Sequence, residues 1–227
     1  MGNNSQNILV VAAHSDDEAL GCGATIARHV AHGDNVAVIS MTDGVGARDS
    51  GDSEILSRRE AAEKSSQVLG FEWAAQGNFP DNALDTVPLI DLIKFIEAVK
   101  KERQPSLVYT HSFADLNIDH RRVCQAVLTA FRPQPDEVCQ EIRCFETVSA
   151  TDYGQNSGAC AFSPNLFINI EPFWMKKVAA LEAYHLEMRE VPHSRSIEGL
   201  EILAKLRGFQ NGIPMAEAFE VLRKIER

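Results

Sequence analysis

Six consecutive residues, Ala13-His14-Ser15-Asp16-Asp17-Glu18, place an imidazole and three carboxylates directly after an apolar run. At a buried strand end, each unpaired ion of such a cluster costs on the order of several kcal/mol, and a divalent cation removes that cost. His14 and Asp17 stand three apart across a tight turn, close enough to grip one ion from two sides. Asp16, pointing between them, is placed to take a proton from a bound water. Capping the following helix is the ordinary task of acids at such a position. The added histidine and the second carboxylate favour a metal. Catalytic zinc sites use three protein ligands and keep one position open, so a third ligand is required. It is expected from Tyr109-Thr110-His111 and the loop to Asp119-His120, where His120 opens a helix. Imidazole ligands suit zinc better than magnesium, and another divalent transition metal (iron, cobalt, manganese) fits the same donors.

The elements that must position these residues follow from hydrophobic periodicity. Residues 7–13 form a continuous apolar run, the pattern of a buried parallel strand. Residues 18–32 read as a helix closed by Gly33-Asp34, and residues 35–41 as a second strand. A helix over 53–70 follows, with Ser57 and Glu60 as a capping box and Gly70 as its stop. A short strand at 71–76, a helix at 87–101, a strand at 106–111 and a helix at 119–131 continue the alternation. This βαβαβα order predicts an α/β, Rossmann-like three-layer sandwich with a mostly parallel sheet. Ligands of such sheets bind beyond the carboxyl ends of the strands, where both acidic loops fall. After Pro133 the rhythm changes to strands at 139–149 and 165–170, helices at 172–188 and 196–209, and a tail at 216–227 that fits a helix or a strand. One domain with an elaborated C-terminal third is expected.

Composition narrows the function. The 227 residues are 44% hydrophobic, 24% charged and carry a net charge of -10. That acidity disfavours nucleic-acid binding, and no apolar run reaches the roughly 18 residues of a membrane span. Residues 1–7 lack the pattern of a signal peptide. Five cysteines, Cys22, Cys124, Cys139, Cys144 and Cys160, form no C-x-x-C pair, which suggests a reduced, soluble, cytoplasmic protein. Gly21-Cys22-Gly23 lacks the third glycine of a dinucleotide fingerprint.

A-H-S-D-D-E at 13–18 together with N-I-D-H at 117–120 resembles the PIG-L/LmbE-like zinc-dependent N-acetyl-sugar deacetylases, whose patterns are A-H-P-D-D-E and H-x-D-H. The similarity runs nearly end to end, through T-D-G at 42–44, F-P-D-N at 79–82, P-N-L-F at 164–167, P-H-S-R-S at 192–196 and A-E-A-F at 216–219. The resemblance implies one domain over 1–227, His14, Asp17 and His120 as zinc ligands, and Asp16 as general base. It also implies that Arg58 and Asp81 line a pocket for a small N-acetylated sugar or its conjugate. Homo-oligomerisation is compatible with a chain of this size.

Two positions depart from the family pattern. Ser15 replaces a proline. Asn117 replaces the first histidine of H-x-D-H, which in the family helps to stabilise the charged intermediate. Asn117 can donate a hydrogen bond to substrate but cannot act as an acid. His111 or His193 is therefore expected to deliver the proton, with Asp119 orienting one of them. The reaction expected is metal-dependent hydrolysis of an N-acetyl group. Cleavage of another amide or carbamoyl-type bond, or a receiver-like domain accepting phosphate on its acidic pair, are the alternatives.

Overall fold

The computed structural model describes residues 5–42, 52–154 and 161–226. The chain runs β1 (Asn7–Ala12), α1 (Asp17–Ala31), β2 (Asn35–Thr42), α2 (Asp52–Leu69), β3 (Glu72–Phe79), α3 (Leu89–Arg103), β4 (Leu107–His111) and α4 (Ile118–Ala130). It then continues β5 (Glu141–Phe145), β6 (Leu166–Asn169), α5 (Trp174–Ala183), α6 (Ile197–Phe209) and β7 (Ala216–Lys224). The strands form one seven-stranded sheet in the order β3-β2-β1-β4-β5-β7-β6. β1 pairs in parallel with β2 and β4, and β2 with β3 and β4 with β5 are parallel as well. β7 runs antiparallel between β5 and β6. The architecture is the expected mostly parallel α/β sandwich.

Strand alternation divides the core into two layers. From β1, Ile8 and Val10 enter a cluster with Leu20, Ile26, Leu69 and Phe219, under α1, α2, α5 and α6. Leu9 and Val11 enter the opposite cluster with Leu92, Ile96, Val127 and Phe131, under α3 and α4. Each such side chain contributes about 1.5–3 kcal/mol on burial. The central strands are covered on both faces, so the backbone leaving β1 and β4 is fixed where the acidic loops begin.

Several boundaries differ from the sequence reading. Ser57 and Glu60 lie inside α2, which begins at Asp52, so they form no capping box. β3 extends to Phe79, and β5 is confined to Glu141–Phe145. The stretch 172–188 is a 3-10 turn (Glu171–Phe173) followed by a helix that stops at Ala183. The ambiguous tail is a strand, because β5 and β6 leave a slot whose backbone groups must be paired. α1 spans its expected length but breaks at Cys22. Asp43 and Gly44 of T-D-G, and Cys160, lie outside the described residues.

Candidate metal centre

β1 and β4 are neighbours, so the loops after Ala12 and after His111 open on the same sheet edge. Their residues converge on one atom. Asp17 Oδ2 lies 3.0 Å from His14 Nδ1, 3.4 Å from His120 Nε2 and 3.4 Å from His111 Nε2. The His14 N–H also donates to it at 2.9 Å. Asp17 is fully buried. Burial alone would push its carboxyl up, but His120, His111 and His14 hold it well below the usual carboxylate range.

The other ring nitrogens are anchored by carboxylates. His14 Nε2 is 3.0 Å from Asp81 Oδ1 and 3.2 Å from Asp119 Oδ2. His120 Nδ1 is 2.8 Å from Asp115 Oδ2, which also accepts from the Thr151 hydroxyl at 3.0 Å. Burial works against a charge on both rings. Asp17 and its partners nevertheless lift His14 well above 6.5, and Asp17 with Asp115 lifts His120 to about 9. The donor set favours positive charge at its centre.

The cluster also leaves buried atoms without partners. Asp17 Oδ1, His120 Nε2 and His111 Nδ1 are buried and make no hydrogen bond. Unpaired buried polar atoms are rare and each costs about 1–3 kcal/mol. Ligand atoms of His14, Asp17 and His120 lie within 4.8 Å of one another, and carboxylates brace the outward nitrogens of both histidines, as around metal-bound imidazoles. A divalent cation fits this set on geometry and chemistry together.

Asp16 sits at the rim with φ 141°, a conformation that costs a non-glycine residue of order 1–3 kcal/mol and that clusters at functional sites. Its N–H is held by Glu18 Oε2 at 3.0 Å. Glu18 in turn accepts from Tyr184 at 2.8 Å and Ser65 at 3.2 Å, and burial pushes its carboxyl up to about 7. Two guanidiniums flank the Asp16 carboxylate: Arg195 at 3.2 Å from Oδ2 and Arg58 at 3.5 Å from Oδ1. Burial raises the Asp16 pKa, against the pull of Arg58 and Arg195. Arg58 also holds Glu187 at 3.1 Å and the Ser15 hydroxyl at 3.3 Å, so the serine replacing proline gains a partner that proline lacks.

The remaining expected residues sit close by with different tasks. Asp119 orients neither His111 nor His193: its oxygens accept from the Asn82 and Leu84 N–H groups at 2.7 and 2.9 Å and face His14. It ties the F-P-D-N loop to the centre. Asn117 caps α4, accepting from Asp119 N–H at 2.8 Å, and its amide donates to Asn82 Oδ1 at 3.2 Å. His111 is fully buried, its Nε2 accepts from Ala13 N–H at 2.9 Å, and its ring stacks on His120 at 3.8 Å. Burial and the adjacent His120 pull it down to about 4. His193 is half-buried on the turn before α6, its Nδ1 accepting from Arg195 N–H at 3.0 Å. Asp115, Glu18 and Glu187 received no site role from the sequence. Arg195 stood in P-H-S-R-S and Asp115 in the His111–His120 loop, but only the fold shows their partners.

Residues 9–131 match the family described as PIG-L: GlcNAc-PI de-N-acetylase. The chain is 32% identical over 188 residues to the uncharacterized deacetylase YaiS of Escherichia coli K12, covering 80% of this chain and 92% of that protein. It is also 26% identical over 201 residues to 4-oxalmesaconate hydratase of Pseudomonas putida, covering 80% and 74%. N,N'-diacetylchitobiose deacetylase from Pyrococcus horikoshii superposes with a TM-score of 0.77 at 20% identity, over 97% of this chain and 85% of that one. That last likeness speaks for the fold. The receiver-like alternative finds no support among these relatives. From the match over 9–131 and the identity to YaiS, the chain belongs to the PIG-L family.

Proposed function

We propose that this protein is a metal-dependent amide hydrolase that removes the acetyl group from an N-acetylglucosamine-type sugar or sugar conjugate, with residues 1–227 acting as one domain. The observation that carries the reading is the convergence of His14, His120 and Asp17, two of them with unpartnered buried ligand atoms, beside the strained carboxylate of Asp16. His14, Asp17 and His120 would hold the ion, with zinc favoured by the two imidazoles. A cation bound there supplies Lewis acidity toward the amide carbonyl and a water acidified to a pKa of about 7.

The chain's own residues do the rest. Asp16 takes the proton of the attacking water and returns it to the departing amine as its carboxyl, one group serving both steps. Arg58 and Arg195 hold its two oxygens in place. Asp81, Asp119 and Asp115 fix the ring orientation of His14 and His120 through the outward nitrogens. His193 and Asn117, both half-buried, are the residues assigned to meet the sugar. His111, buried and stacked on His120, packs directly against the ligand set.

The sugar class rests on family membership, and deacetylation also on the resemblance to YaiS. The hydratase relative favours one second reading: addition of water to an unsaturated polycarboxylate by the same residues. Incubating the protein with N-acetylglucosamine, its oligomers and its conjugates, and assaying primary amine and acetate, tests the proposal. Release that stops on chelation and returns with zinc is expected. No amine from any N-acetyl sugar, with consumption of a conjugated unsaturated polycarboxylate, would establish the hydratase reading in its place.

A further inference from the structure

α1 breaks at Cys22, whose backbone lies at φ −144°, ψ 22°. In an unbroken helix the Ala24 N–H would bond the Leu20 carbonyl four residues back. Each of these groups has a side-chain partner. Glu217 accepts from Ala24 N–H at 3.1 Å through Oε1 and from Thr25 N–H at 2.7 Å through Oε2. The Lys177 ammonium donates to the Leu20 carbonyl at 2.7 Å and to Glu217 Oε1 at 2.7 Å. A carboxylate thus caps the restarted helix and an ammonium caps the first segment, each matched to the local backbone dipole.

Both side chains are only 5% exposed. An ion pair this deep is a poor device for stability alone, since apolar residues of similar volume serve as well or better. An apolar pair, however, would remove the side-chain partners of three backbone groups, Leu20 C=O, Ala24 N–H and Thr25 N–H. Gly21, one residue before the break, packs against Phe145, which borders the metal centre. A Cβ on Gly21 would lie 2.2 Å from Phe145 Cδ2, and the Phe145 ring packs on His111 at 4.8 Å. Residues 17–20, which carry Asp17 and Glu18, take a direction separate from the rest of α1.

We infer that Lys177 and Glu217 are positioning residues for the metal centre: by fixing the break in α1 they set the angle at which Asp17 is presented to the ion. The inference rests on the reading of His14, Asp17 and His120 as ligands. Neither residue touches that cluster, and both come from beyond the stretch 9–131 that matches the family, Lys177 from α5 and Glu217 from β7. The C-terminal third would then shape the centre without supplying a ligand.

Cobalt(II) binding to the metal-free full chain, followed by its visible absorption, tests this in wild type, Lys177→Met and Glu217→Gln, with far-UV circular dichroism as the check on folding. Both variants are expected to bind cobalt roughly 10–100-fold more weakly, the range for residues that orient ligands, with an altered absorption band. Glu217→Gln, which keeps side-chain length and an acceptor, should lose less and remain folded should Lys177→Met fail. Lys100→Met breaks another buried contact, to Glu137 near the start of β5 and so at the opposite sheet edge; its cobalt spectrum should match wild type even where stability falls. Folded variants with wild-type affinity and spectrum would overturn the inference alone. A wild type that takes up no cobalt would overturn the metal reading and this inference with it.

Discussion

Asp17 Oδ2 faces three imidazole rings while its second oxygen has no partner, so this carboxylate is arranged for a cation and not for a helix cap. The same logic gives Asp115 its importance. It does not reach the centre, yet it fixes the His120 tautomer through a 2.8 Å contact. Asp115→Asn should weaken metal binding roughly 10–100-fold, measured by competition with a chromogenic chelator; unchanged affinity would show that His120 needs no such brace. Asn117 makes a different prediction. Its Oδ1 caps α4, so Asn117→Ala should cost about 1 kcal/mol of stability, read from urea unfolding. Asn117→Asp should retain most of that stability, because a carboxylate suits a helix N-terminus.

Among the elements, β1, α1, β2, β4 and α4 were legible in the sequence because a buried parallel strand and an amphipathic helix have distinct periods. Those elements flank the A-H-S-D-D-E and N-I-D-H motifs, so the site's location was legible too. The break in α1 was not, since Cys22 continues the apolar pattern and the side chains that take up the freed backbone groups come from α5 and β7. Gly21→Ala should cost roughly 1–3 kcal/mol by overpacking against Phe145, seen in thermal unfolding. A neutral outcome would mean the Phe145 ring has room to move. The role expected of Asp119 was missed for a similar reason: its partners, Asn82 and Leu84, are 37 and 35 residues distant in sequence. Arg195 lies 179 residues from Asp16, and no local pattern signals that contact. The tail at 216–227 was ambiguous because only pairing with β5 and β6 decides between helix and strand.

At the scale of the whole molecule, the acidic loops after β1 and β4 open at one sheet edge, and charge inside the fold makes stability depend on pH. His29 Nδ1 meets Asp34 at 2.7 Å and Nε2 meets the Tyr109 hydroxyl at 2.9 Å, with Arg143 donating to the same hydroxyl at 2.7 Å. Burial lowers the His29 pKa below 6.5, with Arg143 and Arg28 adding to it and Asp34 opposing. The unfolded chain therefore binds this proton more readily. The His29 contribution is complete above about pH 6.5 and is lost as pH falls toward the folded pKa. Urea midpoints taken between about pH 8 and 5 should fall more steeply for wild type than for His29→Gln; parallel curves would remove His29 as a cause. The central claim is that Asp16 acts as base beside a metal held by His14, Asp17 and His120. Its most direct test is bound metal and amine release measured on the same preparations of wild type and Asp16→Asn. The account predicts about one divalent ion per chain in both proteins, with release from an N-acetyl sugar slowed about 10²–10⁴-fold in the variant. Wild-type turnover by Asp16→Asn, or release that persists once chelation has emptied the site, would contradict it.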